Sequence, residues 1–116
     1  MDTHGFIHLQ FLRKTLLPMP GVTERILFGD PAFHVNKKLL AVLKPDGQTM
    51  VINTNERDTW MEADPHTFYI TDHYLNFDYM LVRLESVKPD DLTTLLIKAW
   101  YKRAPKKLIQ AYEATL

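Results

Sequence analysis

The chain reads as an α+β protein: an antiparallel sheet of about five to six strands with helices packed on one face, an N-terminal helix and C-terminal helices. Apolar residues at helical spacing stand at both ends, Phe6, Leu9, Leu12 and Leu16 first, then Leu92, Leu95, Leu96, Ala99 and Trp100. Between them the period changes to short β-type runs. The connections between those runs are too short for a parallel return, which needs a crossover of about a dozen residues, so the strands pair antiparallel in sequence.

Taken in order, Asp2 and Thr3 are caps for a helix running to about Leu17, and Pro18 and Pro20 end it. Pro20-Gly21 breaks the helix and sets the first strand, because proline lacks the donor that would extend it and glycine tolerates positive φ. Strands are predicted at Val22 to Phe28, Ala32 to Val35, Leu39 to Leu43 and Thr49 to Asn53. Gly29-Asp30-Pro31, Asn36-Lys37-Lys38 and Pro45-Asp46-Gly47 supply the turns between them. Phe28 and Phe33 flank the first turn and are expected to pack inward as its aromatic anchors. Asn53 or Thr54 caps a short helix through Ala63 with Trp60 and Met61 as candidate buried residues, and Asp64-Pro65 breaks it. Thr67 to Ile70 and Tyr79 to Leu84 read as strands, and Thr71 to Asp78 is too irregular to assign. The final helix begins after Ser86 to Asp91, is interrupted at Pro105, and resumes over Lys106 to Thr115.

Composition bounds the class. The 116 residues suit one domain, taken here as 1–116, and a 46% apolar, 24% charged content is that of a folded soluble protein. There is no apolar run near the ~18 residues of a membrane span and no basic-then-apolar leader at Met1 to His4. A cytoplasmic location without membrane contact is the expectation. The absence of cysteine removes disulfides, thiolate zinc sites and Cys nucleophiles. With 14 basic and 14 acidic residues the net charge is zero, so polyanion binding requires the cations to gather on one face.

The leading helix, Pro20-Gly21-Val22, Phe28-Gly29, Pro31-x-Phe33, the Leu39 to Leu43 strand, the loop with Gly47, the short helix and the closing Ala104-Pro105-Lys106-Lys107 together resemble the MmcQ/YjbR family of small bacterial proteins. The resemblance covers roughly residues 3 to 112. It implies a fold similar to the frataxin (CyaY-like) architecture and a DNA-binding role through a "double wing", and it carries no catalytic residues over. Many relatives place a Ser-Tyr pair where this chain has Trp100-Tyr101.

The candidate nucleic-acid-binding residues are Lys98, Lys102, Arg103, Lys106 and Lys107, five cations in a stretch without an acidic residue, joined by Lys37 and Lys38 at the second turn. Such a patch binds phosphates by charge alone and reads no sequence. The plainer reading is a solvated helix face, with lysines near a helix C-terminus favoured by the macrodipole. His4 and His8, four apart, share a helix side but lack a third ligand, so no metal site is expected. An acid–base pairing of His66 and His73 with Asp64 and Asp72 requires them to meet in space. Iron binding by analogy with frataxin fails on the first helix, which has Asp2 alone against Arg13 and Lys14. The four glycines are unclustered, excluding a phosphate loop, and no Gly-x-Ser-x-Gly elbow or cofactor motif is present. Two functional readings follow: a weak DNA-binding module, or a protein or small-ligand interaction domain, dimeric in one form, with Tyr74 to Tyr79 as its exposed apolar surface. An enzyme is the third reading, without a convincing nucleophile or acid–base pair, and no cofactor is expected.

Overall fold

The computed structural model describes residues 3–116, apart from the side chain of His4. The predicted caps therefore divide: Asp2 lies outside the described residues, and Thr3 opens α1 (Thr3–Leu16). Six strands follow with helices between and after them: β1 (Val22–Leu27), β2 (Asp30–Val35), β3 (Lys38–Leu43), β4 (Thr49–Asn53), α2 (Arg57–Ala63), β5 (Phe68–Tyr69), β6 (Tyr79–Arg83), α3 (Pro89–Arg103) and α4 (Lys106–Glu113). The sheet is antiparallel throughout, in the order β1-β2-β3-β4-β6-β5. The first four strands form a meander, and β6 enters beside β4 with β5 as the far edge.

One face of the sheet meets the helices. Leu9, Leu12 and Leu16 of α1 and Leu92, Leu95, Leu96, Ala99 and Trp100 of α3 close over Phe33, Val35, Leu40, Ala41, Leu43, Met50, Ile52, Met80 and Val82 in one core. Phe6, at the same helical spacing, stays exposed one turn beyond that core. In β3 both Leu40 and Ala41 face the core, which strict alternation forbids. A bulge resolves it: the β2–β3 register slips between Phe33, paired with Ala41, and His34, paired with Leu39. An unbroken apolar run thus serves both faces of the sheet.

The β1–β2 hairpin corrects the expected turn. Leu27 pairs with Asp30, leaving Phe28 and Gly29 as a two-residue turn with φ of 50° and 87°, and Asp30-Pro31 belongs to β2. Two left-handed residues suit the right-handed twist of a hairpin better than a wider turn would. The same geometry overturns the inward Phe28. Phe33 is fully buried, but Phe28, at the tip of the two-residue turn, is 98% exposed and stays out of the helix-packed core. Trp60 and Met61 are half-buried against the core rather than within it. Helix α2 starts later than expected, and Thr54 acts ahead of it, its Oγ1 accepting from the Glu56 N–H at 3.1 Å. The irregular segment holds a single 3-10 turn at Asp72–Tyr74.

Trp100 ties the two ends of the chain. Its indole is fully buried and Nε1–H donates to the carbonyl of Pro20 at 2.9 Å. Tyr101 and Tyr112 stand edge-on to it at 5.2 and 5.3 Å between centroids, which docks α4 against α3. Leu108 of α4 then reaches the corner itself: a Cβ added to Gly21, whose φ is +77°, would lie 2.5 Å from Leu108 Cδ1. Gly21→Ala is accordingly expected to cost at least about 1 kcal/mol in denaturant unfolding, through both clash and left-handed strain. Introduced into Leu108→Ala, the same change should cost less, because the 2.5 Å clash with Leu108 is gone. Equal costs in the two backgrounds would show that methyl and leucine do not meet.

Candidate functional site

Of the seven predicted cations, Lys37 and Lys38 stand where β2 turns into β3, Lys98, Lys102 and Arg103 belong to α3, and Lys106 and Lys107 open α4. The Asn36 N–H donates to the Gly21 carbonyl at 3.1 Å, and a Gly21 Cβ would approach Asn36 Oδ1 at 3.3 Å as well as Leu108. Gly21 thus joins the Lys37-Lys38 turn to the first turn of α4, which carries Lys106 and Lys107. Residues some 70 positions apart in sequence become neighbours through one glycine.

Their charges are unequal in availability. Lys98 Nζ donates to Glu56 Oε1 at 3.0 Å, and Lys102 Nζ donates to Asn53 Oδ1 at 2.9 Å with Asp78 Oδ2 at 3.5 Å. Arg103 sits over the Tyr79 ring, 5.9 Å from its centroid. The acid-free stretch read from the sequence therefore receives carboxylates from α2 and the β6 approach. Lys37, Lys38, Lys106 and Lys107 are exposed and form no ion pair among the described residues. Helix polarity separates the group further. Lys102 and Arg103 occupy the last turn of α3, where the macrodipole favours them, but Lys106 and Lys107 open α4, where it opposes them. Helix stability does not explain the second pair.

The opposite face of the sheet holds a feature that the sequence did not disclose. Ala32, Val42, Val51 and Leu81 are in cross-strand register, buried, and outside the helix-packed core. Over them lies a groove of about 320 Å³. Leu39, Val42 and Val51 floor it, Leu27 and Phe28 form one wall, and His73, Tyr74 and Tyr79 form the other. The second wall is the unassigned segment, and Leu75 and Phe77 in it are 57% and 59% exposed, which fits the expected apolar surface. Arg57 pins that segment: Nη1 donates to the carbonyls of Tyr74, Phe77 and Tyr79, and Nη2 to that of Leu75, all within 2.6–3.1 Å. A lone arginine opening a helix carries no sequence signal for this task.

The histidine readings separate. His8 Nδ1 donates to the Gly47 carbonyl at 2.8 Å, and the His4 side chain is outside the described residues. No group of three metal-ligating side chains occurs among the described residues. His66 stands beside Asp64, whose carboxyl is held below its usual range first by the hydrogen bond from Thr67, while His73 packs edge-on against Tyr74. They share no hydrogen bond among those described. His34 has a buried Nδ1 without a hydrogen-bond partner among the described residues, and burial followed by the charge of Arg25 lowers its pKa.

Among the described residues these features define an α+β fold of one antiparallel sheet with one helix-covered face and one open face. No helix among the described residues is long and apolar enough to cross a membrane. The chain belongs to the YjbR family, whose family model it matches over residues 17–102. It is also 37% identical over 51 residues to the uncharacterized proteins Mb2600 of Mycobacterium bovis and Rv2570 of Mycobacterium tuberculosis. That match spans 44% of this chain and 40% of those relatives.

Two outcomes are expected. Arg57→Ala should cost roughly 2 kcal/mol, the scale of hydrogen bonds from a charged donor, and should accelerate amide exchange in residues 72–79 ahead of the core strands. For His34, the unfolded chain takes up a proton at a higher pH than the folded one. Its contribution is therefore complete above about 6.5 and is lost as pH falls toward the lowered native value. His34→Gln should flatten that part of the stability profile measured between about pH 7.5 and 5.5.

Proposed function

We propose that this YjbR-family domain is a weak DNA-binding module that holds duplex phosphates with the basic end of its sheet. The observation that carries the reading is the meeting of the Asn36 to Lys38 turn with the start of α4 at Gly21. The two segments that meet there carry four cations without ion pairs among the described residues, in a chain of zero net charge, two of them where the helix dipole disfavours them. Lys98, Lys102 and Arg103 flank them in a supporting role, since Glu56, Asp78 and Tyr79 already occupy those groups. The hairpin turn is the wing and α4 the second contact. A cytoplasmic location goes with this reading. A second reading, a protein or small-ligand interaction domain, is favoured by the groove on the open face.

Fluorescence anisotropy on a short duplex across a salt series tests the DNA reading. Binding should weaken with a log–log slope of about 0.9 per phosphate neutralised. The quadruple variant Lys37→Ala, Lys38→Ala, Lys106→Ala, Lys107→Ala should lose most of that slope, and Lys98→Ala should lose little. No binding at low salt, or a quadruple variant that binds as tightly as the native chain, would remove the proposal.

A further inference from the structure

The groove on the open face carries a pair of charges that the DNA reading does not use. Asp30 and Lys44 line its end, each two residues beyond the Ala32–Val42 pair and hence on the same side of adjacent strands. Opposite charges so placed on neighbouring strands commonly pair across the ladder. Here no ion pair joins them among the described residues. Lys44 lies in the field of Asp46, yet the oxygens of Asp46 are taken by the N–H groups of Gln48 and Thr49 and by the Thr49 hydroxyl. A carboxylate and an ammonium therefore stand at one end of an apolar, aromatic-walled cleft with groups to spare.

Phe28 supplies a second observation. A non-glycine residue at φ 50° carries a backbone cost of order 1 kcal/mol, and an aromatic ring 98% exposed gains nothing from the core in return. Opposite it, Tyr74 and Tyr79 stand 6.1 Å apart between centroids, held by the carbonyl clamp of Arg57. The volume, about 320 Å³, falls at the small end of ligand pockets.

We infer that this groove binds a free α-amino acid with a large apolar side chain. Asp30 receives the ammonium, Lys44 receives the carboxylate, and the side chain lies on Val42 and Val51 between Phe28 and Tyr74. A ligand with both charges on one carbon matches a site whose two charges share one end, whereas a purely apolar guest would leave both unused.

Isothermal titration and amide chemical-shift mapping with L-phenylalanine, phenethylamine and hydrocinnamate test this on the native chain. L-Phenylalanine should bind saturably in the submillimolar range and shift Val42, Val51, Tyr74 and Tyr79. Phenethylamine, lacking the carboxylate, and hydrocinnamate, lacking the ammonium, should each bind at least tenfold more weakly. Asp30→Asn should weaken L-phenylalanine but spare hydrocinnamate, and Lys44→Met should spare phenethylamine. The quadruple lysine variant should bind the amino acid normally, which keeps this proposal separate from the DNA reading. Equal binding of all three compounds, no binding of any, or a concentration-dependent dimer that covers Val42 and Val51 and excludes L-phenylalanine would overturn it.

Discussion

The hydrogen bond from Trp100 Nε1 to the Pro20 carbonyl is the constraint on which the rest of the molecule depends. It joins residues 80 apart in sequence, inside a side chain packed on all sides. Removing the acceptor's position would leave a buried indole donor unpaired, at about 1–3 kcal/mol, and removing the ring would open a cavity worth about 3–5 kcal/mol. Three elements answer to this one bond. It sets where α3 lies over the sheet, where β1 begins after the Pro20-Gly21 corner, and where Tyr112 can dock α4.

Glycine at position 21 follows from the same constraint. With Trp100 drawn to Pro20, α4 comes close enough for Leu108 to occupy the space a β-carbon would need. A residue that stops α1 in the sequence thus also seats the last helix and the β2–β3 turn. The charges at that end are a consequence of packing at least as much as of composition, since the chain's net charge is zero.

Legibility in the sequence tracks the range of the interactions. Helices α1 and α3 were readable because Leu9, Leu12, Leu16 and Leu92, Leu95, Leu96 bury one stripe of a local helix. Strand β4 was readable because its flanking turns are local. The inward Phe28 failed where a rule of type met a rule of geometry: aromatic residues favour the interior, but the tip of this two-residue hairpin turn stays out of the helix-packed core. The bulge at Leu40 and Ala41 was hidden because an apolar run has no phase. As for the sites, the cations themselves were visible, but the carboxylates of Glu56 and Asp78 that engage two of them arrive from elsewhere in the chain. The groove was invisible because its walls, at Phe28 and at His73 to Tyr79, meet only across the open face, and its organiser, Arg57, acts through backbone carbonyls that have no sequence identity.

Tyr79 is where the two regions touch. Its ring lines the groove and also lies under the guanidinium of Arg103, while its carbonyl accepts from Arg57. Its strand partner Asn53 accepts from Lys102, whose ammonium also faces Asp78. Two cations of the basic end are therefore anchored on the residues that begin the groove's second wall. The proposed occupation of the groove and the proposed contact with phosphate would draw on the same short segment, so any coupling between them would be carried by Asp78 and Tyr79 and by the pinned carbonyls behind them. Such coupling requires that segment to have two arrangements with different affinities, and the four bonds from Arg57 favour one. In a segment held this firmly the default is independence: each surface acts alone, and the shared tyrosine is a common foundation rather than a switch.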